Sequence, residues 1–155
     1  MISHRNVARA FADGETKTKG SRMFIEGDTV YSYGRHYPIA MRHFKDGIHY
    51  LVNVPYGSLS TGRHRSYLLQ EISGSCVLVV EGCSLDNAPM QIRNNEHEIG
   101  TAKKKLSIER KEHMKERYIE KIEELEAQQK ILKFHAAKNR LMNAAERESN
   151  GAERK

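Results

Sequence analysis

The pattern of apolar and polar residues changes near Gly100. Before it, short apolar segments alternate with turn residues, and residues 1–100 contain all three prolines and every glycine but one. After it, proline is absent and apolar residues recur at helical spacing as far as Glu148. We therefore expect a compact body over residues 1–100, a long helical arm over residues 101–148 and a disordered tail over residues 149–155.

Glycine turns in the body predict two antiparallel hairpins. One turn contains Gly27-Asp28 and the other Asp46-Gly47, and each is flanked by segments rich in β-branched, aliphatic and aromatic residues. Such turns are typical of hairpins because glycine tolerates a positive φ. In the second hairpin, a two-residue loop places Met41 opposite Val52. Residues 15–20, ahead of the first hairpin, are polar and are predicted to be a flexible connection.

Two helices and a buried strand complete the predicted body. Helical spacing is present over residues 2–12 and again over residues 60–72, where Ser60 or Thr61 is the expected N-cap. The apolar segment 75–80 is typical of a strand that is buried on both faces. The predicted fold class is α+β: a small antiparallel β-sheet of about five strands with one packed helix, a short N-terminal helix and a long C-terminal helix.

Two interpretations of the helical arm remain open. An incomplete heptad pattern favours a coiled coil between copies of the chain, and the residues expected to form it are Tyr118, Ile122, Leu125 and Leu132. A second apolar stripe lies off that seam, so the helix could instead break near residues 128–130 and fold back on the body. We favour self-association, which predicts a homodimer or a higher oligomer.

Charge and hydropathy exclude several classes of protein. Hydrophobic residues make up 38% of the chain and the mean hydropathy is −0.72, which leaves little material for a large enzyme core. The longest apolar run, Val77 to Val80, is far short of the roughly 20 residues that a membrane span needs. The first residues also lack the apolar stretch of a signal peptide. We therefore expect a cytoplasmic protein that does not associate with membranes.

The cysteines predict neither a disulfide framework nor a metal centre. Cys76 and Cys83 are the only two in the chain, and no histidine with suitable spacing accompanies them. Both are expected to be reduced thiols. We accordingly predict no metal and no cofactor.

Two Gly-Arg-His stretches, at residues 34–36 and 62–64, carry the most distinctive side chains of the body. Each places a cation and a titratable ring near the end of a regular element, where they can bind a phosphate or another anion. The predicted anion-binding or nucleic-acid-binding residues of the body are Arg35, His36, Thr61, Arg63, His64 and Arg65. A purely structural interpretation stays open, in which Gly34 forms a turn and Thr61 caps a helix.

Three consecutive lysines, Lys103, Lys104 and Lys105, open the predicted arm. Residues 1–100 contain 11 basic and 10 acidic side chains, whereas residues 101–155 contain 15 basic and 10 acidic ones. Lysines at the N-terminus of a helix oppose its dipole, which suggests that they contact something outside the helix, such as a phosphate backbone. We therefore add these lysines to the predicted nucleic-acid-binding residues.

The stretch Ser-Tyr-Gly-Arg-His-Tyr-Pro-Ile-Ala at residues 32–40, followed by Thr-Gly-Arg-His at residues 61–64, resembles small uncharacterised proteins of bacteriophages and mobile elements. The resemblance spans about residues 31–68 and leaves the arm outside. The residues that carry it are Tyr33, Gly34, His36, Pro38, Ala40, Thr61, Arg63 and His64. It implies a phage or mobile-element origin and a compact β-rich module, and it brings no activity with it.

Three functions are compatible with these features. The first is a non-enzymatic phage or mobile-element accessory protein that contacts nucleic acid weakly and without sequence preference, and that uses the arm to self-associate or dock. The second is an inhibitor of a host defence or nucleic-acid-processing protein. The third is a small phosphodiesterase or nuclease that uses His36 and His64. We favour the first, which assigns no catalytic residue.

Overall fold

The computed structural model of the 155-residue chain describes residues 2–55 and 58–153, of which residues 139–153 are described by their backbone alone. The chain divides into two compact units, Met1–Asn87 and Ala88–Lys155. The α+β class is confirmed, because the first unit contains a β-sheet with two helices and the second contains two long helices.

One sheet of six strands forms the first unit, and the strands lie in the sheet in the order of the chain. They are β1 (Lys17–Lys19), β2 (Met23–Glu26), β3 (Thr29–Ser32), β4 (Pro38–Lys45), β5 (Ile48–Val52) and β6 (Val77–Val79). The two helices are α1 (His4–Ala12) and α2 (Leu59–Glu71). Five strands were predicted, and the additional one is β1, a short exposed edge strand in the segment predicted to be a flexible connection.

The core of this unit lies between the two helices and one face of the sheet. Its fully buried side chains come from α1, the sheet and α2, and they include Val7, Phe11, Met23, Val30 and Leu68. The helices also pack against each other. Burial of this apolar surface is the main favourable contribution to folding of the unit.

The second hairpin has the predicted two-residue turn but a different register. Lys45 pairs with Ile48 across the turn, as expected, whereas Met41 lies opposite Leu51, one residue away from its predicted partner. Phe44 has a φ of 49°, and the register shifts at this point of β4. An extra residue in one strand displaces every later pair by one position, and this β-bulge is why the predicted pairing is wrong.

The strand β6 makes the sheet mixed rather than purely antiparallel. It pairs in parallel with β5, and Leu78 lies opposite Leu51. The helix α2 separates these two strands along the chain, so the segment is a βαβ unit, in which a helix returns the chain to the same end of the sheet.

The helical unit begins earlier than the sequence analysis predicted. Its first helix, α3, is Ala88–Ile108, and the second, α4, is Glu112–Glu153. Gly100, where the boundary was predicted, lies inside α3. Pro89 is in the first turn of α3, where the missing backbone N–H costs little. The last proline of the chain therefore marks the start of this helix and does not belong to a loop ahead of it.

The break between α3 and α4 lies at residues 109–111 rather than near residues 128–130. The Glu109 carboxylate accepts hydrogen bonds from the backbone N–H groups of Arg110 and Lys111, at 3.0 and 3.1 Å. These bonds lower the pKa of Glu109 and satisfy N–H groups just ahead of α4. The helical arm predicted over residues 101–148 therefore belongs to two helices, and the break between them lies earlier than the alternative near residues 128–130.

The two helices pack side by side in opposite directions. Lys103 pairs with Glu126 at 3.5 Å, and Glu96, nearer the start of α3, pairs with Lys133, farther along α4, at 3.6 Å. Most of the tail that was predicted to be disordered, residues 149–153, belongs to α4. The remaining tail residues, 154–155, lie outside the described part of the chain.

Each helix in the described residues is either too short or too polar to cross a lipid bilayer.

Candidate nucleic-acid interface

The first Gly-Arg-His stretch lies in a strained turn between β3 and β4. Tyr33, directly before it, has a φ of 68°, and the N–H of Gly34 donates to the carbonyl of Ser32 at 2.9 Å. This combination is a γ-turn of the rare, strained kind. The N–H of Tyr33 donates to the carbonyl of Arg22 at 2.6 Å. The turn is therefore attached to the connection between β1 and β2.

The two predicted binding residues of this turn have different environments. Arg35 makes a bidentate ion pair with Glu26, with Nε to Oε2 at 2.7 Å and Nη2 to Oε1 at 2.9 Å. Hydrogen bonding in this pair lowers the pKa of Glu26 and raises that of Arg35. His36 is exposed. Both side chains are accessible, and the charge of Arg35 is matched by a carboxylate.

The second Gly-Arg-His stretch lies in the first half of α2. Ser58 caps this helix, two residues before the earlier of the two predicted caps, and its hydroxyl accepts from the N–H of Thr61 at 3.5 Å. Because the helix starts at Leu59, Thr61 and His64 are three residues apart on its buried face. Arg63 lies between them and is exposed.

Thr61 and His64 bind another part of the protein and are not available to a ligand. The hydroxyl of Ser32 lies 3.2 Å from Oγ1 of Thr61 and 2.7 Å from Nδ1 of His64. Thr61 and His64 are 4% and 2% exposed, respectively. The prediction that Thr61 and His64 lie on a contact surface is therefore wrong. Their burial instead pairs three polar side chains with one another, those of Ser32, Thr61 and His64.

Arg65 also contributes to the fold. Its Nε donates to the carbonyl of Asn53 at 2.9 Å, which attaches α2 to the end of β5. Of the residues predicted on α2, Arg63 is therefore the one whose side chain is exposed.

His64 is held neutral by its surroundings. Its ring lies 4.2 Å from the ring of His4, at an interplanar angle of 65°, and 5.7 Å from that of Tyr33. Burial lowers the pKa of His64 to about 4, and the positive charges of His4 and Arg22 add to the effect. The histidine ring that contacts His64 is that of His4. The catalytic pairing of His36 with His64 in the third hypothesis stays a prediction.

A basic groove lies beside this turn, and of its basic side chains only Arg35 was among the predicted binding residues. Its volume is about 820 Å³, and the basic and aromatic side chains that line it are Lys17, Lys19, Phe24, Tyr33 and Arg35. Phe24 stacks on Tyr31 with ring centres 5.2 Å apart. Along β2, Phe24 alternates with the buried Met23 and Ile25, so it lies on the face opposite to the core.

The predicted lysine cluster lies near the end of a helix and not at its start. Lys103, Lys104 and Lys105 are exposed in the last two turns of α3, and Lys103 pairs with Glu126. Cations at a helix C-terminus are favoured by the helix dipole. The reason for assigning these lysines to a nucleic acid was therefore wrong, and their role stays a prediction.

Two of the four residues predicted to mediate self-association are buried within the chain itself. Ile122 is 8% exposed and Leu132 is fully buried, whereas Tyr118 and Leu125 are half-buried. The helix that packs along α4 is α3, which the prediction had placed largely in the body. A dimer stays a prediction, and it would have to use other side chains than Ile122 and Leu132.

Within the described residues, no three His, Cys, Asp or Glu side chains are grouped as metal ligands. Cys76 and Cys83 are free, and burial raises the pKa of Cys83 to about 12. The Cys83 thiol is therefore protonated and unreactive at neutral pH.

Comparison of the chain with family models, curated proteins and solved structures finds no match in any of the three. The resemblance to phage and mobile-element proteins therefore stays a prediction.

Proposed function

We propose that the protein is a non-enzymatic binding protein that holds single-stranded nucleic acid in the basic groove beside β1 and β2. One observation carries the proposal: Lys17, Lys19 and Arg35 lie in the same groove as the rings of Phe24 and Tyr33. Cations for the backbone and aromatic faces for the bases are the two components of such sites.

The cations of the groove are placed to follow a polynucleotide backbone. Lys17 and Lys19 are exposed and alternate along one edge strand, so their side chains leave the same face about 7 Å apart. Neither makes an ion pair with the residues that the structure describes. Free cations at this spacing can release counterions from successive phosphates.

The aromatic rings favour a single strand over a duplex. Tyr33 is 46% exposed, and its ring is presented by the γ-turn at the end of β3. Phe24 is half-buried against Tyr31, which fixes the plane of its ring. Rings fixed in this way can stack on bases that are not already stacked in a helix, which a single strand offers and a duplex does not.

Fluorescence anisotropy with a labelled single strand of mixed sequence, as DNA and as RNA, tests the proposal at low ionic strength. The double variant Lys17→Gln/Lys19→Gln should weaken binding about tenfold and reduce the salt dependence of affinity, since about one phosphate contact is lost per lysine. The matched control is Lys45→Gln/Arg63→Gln, which removes the same charge outside the groove and should weaken binding much less.

Three results would overturn the proposal. They are an absence of binding at low ionic strength, an equal loss in the two double variants, and a preference for duplex over single strand. The first would favour the alternative function, inhibition of a host protein. A difference between DNA and RNA would identify the sugar that the groove prefers.

A further inference from the structure

A second group of side chains, made of an arginine, two histidines and two hydroxyl-bearing residues, borders the groove, and we call it the Arg22 cluster: His4, Ser21, Arg22, Tyr33 and His64. The guanidinium of Arg22 lies 5.7 Å from the centre of the Tyr33 ring, and its Nη1 donates to the Tyr33 hydroxyl at 3.4 Å. Nε2 of His4 is 3.1 Å from the hydroxyl of Ser21. Tyr33 belongs both to this cluster and to the groove.

Among the described residues, no carboxylate makes an ion pair with this cluster. Some arginines of the same unit lie against carboxylates, as Arg9 does with Glu71 and Arg42 with Asp28, whereas Arg5 lies over the ring of Tyr67. Arg22, like Arg5, contacts a tyrosine, and it makes no ion pair within the described part of the chain. The charges of Arg22 and His4 act on His64 and help to keep it unprotonated. An anion at this place would relieve the repulsion among these groups.

The donors of the cluster are held in position by the backbone. Tyr33 keeps its strained φ of 68° because its N–H is bonded to the carbonyl of Arg22 and the next peptide closes the γ-turn. Hydrogen bonding with Ser60 lowers the pKa of the Tyr33 hydroxyl, and Arg22 adds to the effect. Strain of this kind persists where the surrounding structure fixes it, and it concentrates at binding sites.

We propose that the Arg22 cluster binds a phosphate group of the strand held in the groove. Arg22 supplies the guanidinium fork, and the hydroxyls of Ser21 and Tyr33 and the ring of His4 supply further donors. His64 lies behind these residues as a positioning residue, since it is buried against Ser32. The proposal rests on the proposed function, because the shared residue Tyr33 places this site at the edge of the groove.

The imidazole Cε1–H signals in ¹³C-edited NMR spectra report on the site directly, with inorganic phosphate as the first probe. His4→Asn and His64→Gln assign the two signals. Phosphate should shift both signals and raise the apparent pKa of His64 from about 4 by about one unit, because the bound anion offsets the neighbouring cations. Arg22→Gln should weaken phosphate binding about tenfold. Arg63→Gln, which removes an exposed arginine from the same unit, should leave it unchanged.

Single strands with a 5′-phosphate and with a 5′-hydroxyl then distinguish the source of the phosphate. Tighter binding of the phosphorylated strand that is lost in Arg22→Gln assigns the site to a terminal phosphate. Equal binding of both strands, weakened equally by Arg22→Gln, assigns it to a phosphate within the backbone. Unmoved His4 and His64 signals, or a normal affinity of Arg22→Gln for phosphate and for both strands, would overturn the inference.

Failure of this inference is distinguishable from failure of the proposed function. If phosphate shifts the two signals but no strand binds, the phosphate site stands and the groove proposal fails. If strands bind through Lys17 and Lys19 while phosphate and Arg22→Gln have no effect, the groove stands and the phosphate site is refuted.

Discussion

The two Gly-Arg-His stretches have the same sequence, but their histidines have opposite environments. In the β3–β4 turn, Arg35 and His36 are both accessible, and Arg35 pairs with Glu26. In α2, Arg63 is exposed but His64 is buried against Ser32. The difference arises from the element around each stretch, because a helix turns every third or fourth residue to the same face. A short motif therefore does not identify a binding residue until its secondary structure is known.

Removal of each histidine gives the largest expected difference between the two stretches. His64→Ala should lower the free energy of unfolding by about 4 kcal/mol, because it leaves a cavity and removes a hydrogen-bond partner of the buried Ser32 hydroxyl. His36→Ala should change it by less than about 0.5 kcal/mol, since the side chain is exposed. Urea denaturation followed by circular dichroism measures both values. Similar values for the two variants would contradict the assigned environments.

Acidification should reveal the burial of His64. His64 has a pKa of about 4 in the folded protein against an ordinary value of 6.5, so the unfolded chain binds the additional proton between these pH values. The stability that the protein gains from neutral His64 is complete above pH 6.5 and is lost as the pH falls to about 4. The loss amounts to about 3 kcal/mol.

Carboxylates also titrate in this window, so the measurement is a comparison of variants. His64→Gln should lose less stability than the wild type between the two pH values. An identical pH dependence of stability in His64→Gln and the wild type would contradict the lowered pKa of His64 in the folded protein.

The elements that depend on local sequence were predictable, and those that depend on partners distant in the chain were not. The turn glycine Gly47 predicted the second hairpin correctly. It could not predict the bulge at Phe44, which changed the pairing register of β4 and β5. The parallel pairing of β6 had a signal that was available, since a helix separates two strands in a βαβ unit. Pro89 was the corresponding missed signal for the start of α3.

The candidate site was predictable to a lesser extent for a related reason. Arg35 was identified, whereas His4, Lys17 and Arg22 were not. Pairing of β1, β2 and β3 brings Lys17 and Arg22 near Tyr33, and His4 of α1 reaches the β1–β2 connection through Ser21. The alternation of Lys17 and Lys19 along one strand was a usable signal. It was missed because a three-residue polar edge strand has no apolar pattern.

The glycines of the two stretches should respond differently to substitution. Gly62 is in α2 with no atom within 4 Å of an added Cβ, so Gly62→Ala should stabilise the protein by about 0.5–1 kcal/mol. At Gly34 an added Cβ would lie 3.0 Å from Nδ1 of His36, so Gly34→Ala should be neutral or slightly destabilising. Thermal denaturation of the two variants tests this. A gain at both positions would mean that the turn tolerates a side chain as well as the helix does.

The smallest expected effect concerns Arg35 and depends on the carboxylate of Glu26, which pairs with it. Glu26→Gln removes the ion pair of Arg35 and frees its guanidinium in the groove. Affinity for a single strand should rise about threefold and become more dependent on salt, because one more cation is available to phosphate. Glu71→Gln is the matched control, since it removes an equal charge beside Arg9, outside the groove. An equal gain in both variants in the anisotropy assay would mean that net charge, and not the release of Arg35, sets the affinity.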